Sequence, residues 1–266
     1  MRVPTPSGDW PESWHLSYQY DCNELLPPPN RFLGYRYAYD ERKQSVLDFI
    51  EKTIPRPAHV LDVAAAQGNT TISLAEMGYN VVWNDIREEL EGYVCLKQER
   101  GEIEFRPGNI LDMTPQSEFD AVIAMEVIEH VAHPDQFMAH LAGFLKPEGY
   151  LLLTTPNGAY FRYDMPKFSE CDDPSKYEGI QFGPNGADHI FLLHADEITE
   201  LASRANLKVV HLEYTANPLT HGHIKLWKFL PLLSEKRVKD LDRWSRRQFG
   251  KAKFHDNMTV ILQRRL

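Results

Sequence analysis

The chain has 266 residues, 42% hydrophobic and 25% charged, with 29 Lys and Arg against 38 Asp and Glu and a formal net charge of −9 at pH 7. This is ordinary for one globular domain with a sizeable core, and so acidic a balance argues against nucleic acid as the main partner. Cys22, Cys95 and Cys171 lack C-x-x-C spacing, which excludes a thiolate metal site or disulfide framework; without an apolar stretch near the roughly 20 residues that span a bilayer, or an apolar signal region after Met1, a cytoplasmic location is expected.

Residues 1–40 are rich in proline and aromatics (Trp10, Trp14, Tyr18, Tyr20, Tyr35, Tyr37, Tyr39) and are read as an N-terminal lid. Beyond them, apolar runs alternate with amphipathic stretches in the manner of βαβ units. Strands are predicted at 58–63, 80–84, 102–106, 119–125, 149–155, 207–214 and 256–264, and helices at 41–53, 69–77, 87–98, 134–145 and 195–204. In the helix near 134–145, Pro134 suits the first turn, and Phe137, Met138, Leu141 and Leu145 recur at helical spacing, so one face packs on the sheet. The segments 158–187 and 216–254 stand outside the alternation. The first follows the fifth strand and is read as a second part of the lid, because ligands sit beyond the carboxyl ends of strands in open α/β sheets.

The run Val60-Leu61-Asp62-Val63 passes through Ala64, Ala66 and Gly68 into a helix, and a second run, Val81-Val82-Trp83-Asn84, ends in Asp85. Small residues let the backbone approach a ligand and turn sharply into a helix whose free N–H groups face it. An acid closing the second strand can accept hydrogen bonds from both hydroxyls of a ribose. Only one of the three glycines usual in a dinucleotide fingerprint is present, which weakens a pyrophosphate-binding reading because alanine at the position of closest approach leaves less room for a diphosphate.

Glu126, Glu129 and His130 follow the predicted fourth strand. If the chain turns helical there, positions i, i+3 and i+4 share one face and two carboxylates converge with an imidazole. Such a set suits Mg²⁺, Mn²⁺ or Zn²⁺. Asp188-His189, beyond the 158–187 insertion, offers a further imidazole. Without a metal, His130 or His189 is the natural general base, since imidazole titrates near neutrality.

Segment 225–253 holds ten Lys or Arg against Glu235, Asp240 and Asp242, a local charge of about +7. With Leu226, Trp227, Phe229, Leu230, Leu232 and Leu233 it suits weak contact with an anionic membrane surface or attraction of an anionic acceptor. The favoured reading is a solvated face whose Val238, Leu241 and Trp244 stripe packs on the domain.

Taken in order, the loop at 62–68, Asp85, the Phe119 to Val131 segment and the Lys146-Pro147-Glu148-Gly149 turn resemble the class I S-adenosylmethionine-dependent methyltransferases, from about residue 42 to the C-terminus. The resemblance implies a Rossmann-like seven-stranded, mostly parallel α/β sheet with helices on both faces and an antiparallel last strand. It implies S-adenosylmethionine as cofactor, with Asp62, Ala64 and Gly68 at its amino acid end, Asp85 at its ribose, Asn109 and Ile110 at its adenine, and Glu126 completing the set.

The pattern Glu-x-x-Glu-His with a downstream Asp-His is similar to two metal-dependent branches of this superfamily: ubiquinone-biosynthesis catechol O-methyltransferases, and enzymes that methylate the 2′-hydroxyl at the 3′ end of small RNAs. It implies Glu126, Glu129, His130 and His189 as metal ligands. The reading that follows is O-methylation of a small polyhydroxylated or phenolic acceptor. RNA 3′-end methylation is the alternative within the enzymes, disfavoured by the charge, and a cofactor-binding but inactive scaffold is the alternative outside them.

Overall fold

The computed structural model describes residues 1–26, 32–182, 189–216, 221, 228–249 and 252–266. Its strands are β1 (His59–Val63), β2 (Asn80–Asn84), β3 (Ile103–Phe105), β4 (Phe119–Met125), β5 (Leu145–Pro156), β6 (Leu207–Thr215) and β7 (Asn257–Arg264). They form one sheet in the order β3-β2-β1-β4-β5-β7-β6. The first five are parallel, and β7 runs antiparallel between β5 and β6. Strand order reverses between β1 and β4, which opens a crevice beyond their carboxyl ends. The loop at 64–68, Asp85, Glu126, Asn157 and the start of β7 all lie along that edge.

The helices are α1 (Glu12–Glu24), α2 (Leu33–Thr53), α3 (Asn69–Glu76), α4 (Leu90–Lys97), α5 (Pro134–Phe144), α6 (Ala195–Arg204) and α7 (Glu235–Phe249). Side chains of a strand alternate between sheet faces, and two hydrophobic layers result. Val60, Ala121, Ile123 and Leu152 pack with Val46, Ile50, Leu74 and Ala75 of α2 and α3. Leu61, Val63, Val122 and Leu151 pack with Phe137, Met138 and Leu141 of α5 and with Ile198 and Leu201 of α6. Each such fully buried aliphatic side chain contributes about 1.5–3 kcal/mol.

All seven predicted strands are present. The helices differ most from expectation inside residues 1–40, where α1 and the first turns of α2 lie. The inward residues of α1 are Ser17, Asp21 and Glu24, and the buried residues at the start of α2 are Gly34 and Ala38. Neither stretch carries an apolar stripe, so hydrophobic periodicity could not reveal it. At the other boundary, β5 begins at Leu145 rather than 149, because Leu145 already pairs with Phe119 before a register shift.

The basic segment contains α7, and its stripe is only partly inward: Val238 is buried and Leu241 half-buried, but Trp244 is 51% exposed. Asp242 and Ser245 take the inward places instead. Lys225, Leu226, Trp227 and Lys251 lie outside the described residues. No helix among the described residues is long and apolar enough to cross a membrane.

Through Phe182, the insertion after β5 is fastened beside the loop that follows β4. Phe168 and Tyr177 stack edge-on against Phe191 at 5.4 and 5.2 Å. Ala132 N donates to Gln181 Oε1 at 3.1 Å, and His133 Nε2 meets Glu178 Oε1 at 2.8 Å.

Candidate functional site

Between Val63 and α3 the chain reverses within five residues. Ala64, Ala66 and Gly68 adopt φ of 52°, 47° and 71°, the left-handed region that costs an alanine about 1–2 kcal/mol. The turn keeps a glycine geometry at two positions where glycine is absent. Gly68 has a second constraint, since a Cβ there would stand 2.9 Å from Val94 Cγ2.

On the β2 side the loop is tied by Ala65 N donating to Asn84 O (2.9 Å), Ala66 N to Asp85 Oδ2 (2.8 Å) and Trp83 Nε1 to Ala66 O (3.0 Å). Asp62 is buried, accepts from Thr71 Oγ1 at 2.6 Å, and burial pushes its carboxyl up to about 7. Asp85 also accepts from Arg87 through N (2.9 Å), Nε (2.9 Å) and Nη2 (3.1 Å). With Ala66 N, these donors fill the usual acceptor positions of a carboxylate.

Asn109 and Ile110 sit beside Asp85, because Gly108 N donates to Asp85 O (2.9 Å) and Asn84 Nδ2 donates to the Arg106 and Gly108 carbonyls at 2.8 and 3.0 Å. The Asn109 side chain caps its own turn, accepting from Leu111 N at 3.1 Å, and Ile110 is buried. Ile86, next to Asp85, is 49% exposed. Sequence reasoning passed over it, although an apolar residue directly after the acid was the available signal.

The other side of the loop was not foreseen at all. Lys97 of α4 donates to Gln67 O (2.9 Å), to Asn69 Oδ1 and to Asp21 Oδ2 (2.7 Å). Asn69 Nδ2 donates to Asp21 Oδ1 and Glu24 Oε2, both at 3.0 Å, and Gln67 Nε2 donates to Glu24 Oε2 at 2.8 Å. Residues of the expected lid therefore grip the loop itself.

After β4 the expected helical face is not formed. Glu126 takes φ 56°, and a single 3-10 turn begins only at Ile128, so positions 126, 129 and 130 do not project from one helix. The Glu126 carboxylate accepts from Thr154 Oγ1 (2.8 Å) and Asn257 Nδ2 (2.9 Å) and lies 3.8 Å from Arg42 Nε. Glu129, His130 and His189 do converge, with ligand atoms within 4.8 Å of one another. Among the described residues, Glu126 is not part of that group.

The His130 and His189 rings meet edge-on with centroids 4.9 Å apart. Glu129 is fully buried; Oε2 accepts from Thr155 Oγ1 at 3.0 Å, whereas Oε1 has no hydrogen-bond partner. Burial, reinforced by the charge of Glu126, raises its carboxyl well above the usual range. A buried, half-satisfied carboxylate beside two imidazoles is a donor set that fits a divalent cation. Asp188 lies outside the described residues.

A family described as "Methyltransferase domain" matches residues 35–212. The "Ubiquinone biosynthesis O-methyltransferase" of Dechloromonas aromatica is 30% identical over 183 residues, covering 65% of this chain and 75% of that protein. The protein of the same name from Rickettsia felis is 32% identical over 100 residues, 37% of this chain and 41% of that protein, so the alignment spans less than half of this relative. In fold, the chain is similar to a magnesium protoporphyrin IX methyltransferase from Synechocystis PCC 6803 solved with bound SAH, at 14% identity and a TM-score of 0.58 over 95% of each chain. With the loop, the acid after the second strand and the reversed strand order in place, the chain belongs to the methyltransferase-domain family.

Proposed function

We propose that the protein methylates a hydroxyl oxygen of a small polyhydroxylated or phenolic molecule, with a divalent cation held by Glu129, His130 and His189. The observation that carries this reading is the buried Glu129 carboxylate, whose bare Oε1 stands beside two imidazoles at the carboxyl edge of the sheet. Oxygen as the acceptor atom is supported by relatives that bear the name O-methyltransferase.

Asp62, Ala64 and Gly68 would hold the amino acid end of the cofactor. Asp85 would hold its ribose by exchanging the bonds now given by Arg87, whose side chain is 39% exposed. Asn109, Ile110 and Ile86 would flank the adenine, and Glu126, steadied by Asn257 and Thr154, would face the methyl end. When bound, S-adenosylmethionine supplies a methyl group on a sulfonium, and the cation lowers the pKa of a chelated hydroxyl, which for a phenol starts near about 10. The Phe168 and Tyr177 contacts with Phe191 would hold the insertion beside that loop, where it would shield a bound acceptor from water. Should no cation bind, His130 or His189 would take the hydroxyl proton.

The test is Mn²⁺ titration of the purified chain, beside elemental analysis and calorimetric titration with S-adenosylmethionine. Wild type is expected to bind about one Mn²⁺, Glu129→Gln to lose it, and both to keep their cofactor affinity. Equal Mn²⁺ affinity in the two proteins would remove the cation and leave the imidazole base.

A further inference from the structure

We infer that the N-terminal helix is part of the cofactor site, with Asp21 of α1 and Lys97 of α4 acting as positioning residues that set the conformation of the loop at 64–69. This rests on the reading that the loop holds the cofactor. The geometry is specific. Both side chains are fully buried, and the ammonium of Lys97 spends its donors on Asp21 and on two groups of the loop, the Gln67 carbonyl and the Asn69 side chain. Asp21 in turn accepts from Asn69 Nδ2 and from the Tyr93 hydroxyl at 2.8 Å. Gln67 and Asn69 flank Gly68, the residue that turns the chain into α3.

A buried ion pair is weak evidence for stability, because desolvating both charges offsets their attraction, and well-packed apolar residues serve a core at least as well. What apolar residues cannot do is bond a loop carbonyl and a loop amide at fixed positions. The pair therefore has a positional effect that reaches the ligand through the loop. Lys97 is faced by Asp21 and Glu24 on α1, by Lys43 on α2 and by the Tyr93 ring on its own helix. Burial draws it down to about 8 against the pull of Asp21. As the pH rises through that value Lys97 loses its charge and one of its three donors, which weakens its hold on Asp21 and on the loop.

The experiment measures S-adenosylhomocysteine affinity by calorimetry on the full chain at pH 7 and pH 9, with thermal unfolding of each variant alongside. Removing one charge alone would strand the other in the core, so the pair is neutralised together in Asp21→Asn/Lys97→Met. That variant is expected to unfold at a temperature close to wild type, to bind at least tenfold more weakly at pH 7, and to lose the part of the pH 7 to 9 weakening that Lys97 causes. Asn69→Ala leaves the ion pair whole and removes its side-chain link to the loop while the bond to the Gln67 carbonyl stays; it is expected to weaken binding severalfold and serves by itself if the double variant does not fold. Asp85→Ala is the control. If Asp85→Ala weakens binding while the Asp21/Lys97 and Asn69 variants bind like wild type, the positioning role is overturned. If none of the three weakens it, the assignment of the loop fails instead.

Discussion

The loop after β1 and the loop after β4 share one edge of the sheet and are built on opposite terms. Around the first, Asp21, Asp62, Asp85 and Lys97 are buried and none of them leaves a buried polar atom without a hydrogen-bond partner. Around the second, Glu129 is equally buried with one oxygen bare, and Glu126 lies near enough to raise its carboxyl further. On the proposed cofactor side a ligand would exchange bonds already present. On the proposed acceptor side Glu126 is already faced by Arg42, and the bare oxygen of Glu129 is left for a cation or a proton to satisfy.

The comparison breaks most visibly at Glu129. With a catechol as probe acceptor, Glu129→Ala is expected to reduce methyl transfer by at least about 100-fold, through loss of the cation that ionises the hydroxyl. S-adenosylmethionine affinity should be unchanged, and a parallel fall in cofactor affinity would show that the two loops are one unit. Asp85→Ala makes the converse cut: cofactor binding should weaken by about 1–3 kcal/mol, with Mn²⁺ binding intact, both read by calorimetry.

Asp62 sharpens the contrast through pH. Its folded pKa of about 7 lies above the ordinary aspartate value of 3.8, so the native state holds the proton more tightly than the unfolded chain. The associated stability is fully present below about pH 4 and is lost as the pH rises through 7. Asp62→Asn, which keeps an acceptor for Thr71, should therefore stabilise the ligand-free protein by up to about 4 kcal/mol at pH 8 and change it little at pH 4. Urea melts at the two values check this, and an equal effect at both would exclude titration of Asp62 as the cause. The smallest effect is at Ala64→Gly: relief of left-handed strain is offset by the greater freedom of glycine in the unfolded chain, leaving a change of under about 1 kcal/mol. A loss of 2 kcal/mol or more in the same melts would mean that the Ala64 methyl packs rather than strains.

Much of this edge was legible in the chain. The apolar runs at 60–63 and 81–84 bury both faces, one carrying an acid beside its last residue and the other followed by one, and Gly68 and the small residues before it mark a sharp turn, so Asp62 and Asp85 could be picked out from their order alone. Glu129, His130 and His189 could be named as well, but not the way they meet. The sequence argument placed Glu126 with them on a helix, whereas the left-handed residue at 126 turns its carboxylate to Thr154 and Asn257, which come from strands 28 and 131 residues away. Within residues 1–40, aromatic and proline content signalled a cover, whereas the buried face of α1 is polar and has no apolar period to detect.

By itself, then, the sequence determined the seven strands and the loop that turns beside them, because alternation, small residues and acids at strand ends act through neighbours a few positions apart. Only the tertiary structure decided what steadies those groups. Lys97 reaches Asp21 across 76 residues, and Asn257 reaches Glu126 through an antiparallel strand inserted between two others. Such pairings are fixed by which elements the core packs together, and no local pattern encodes them.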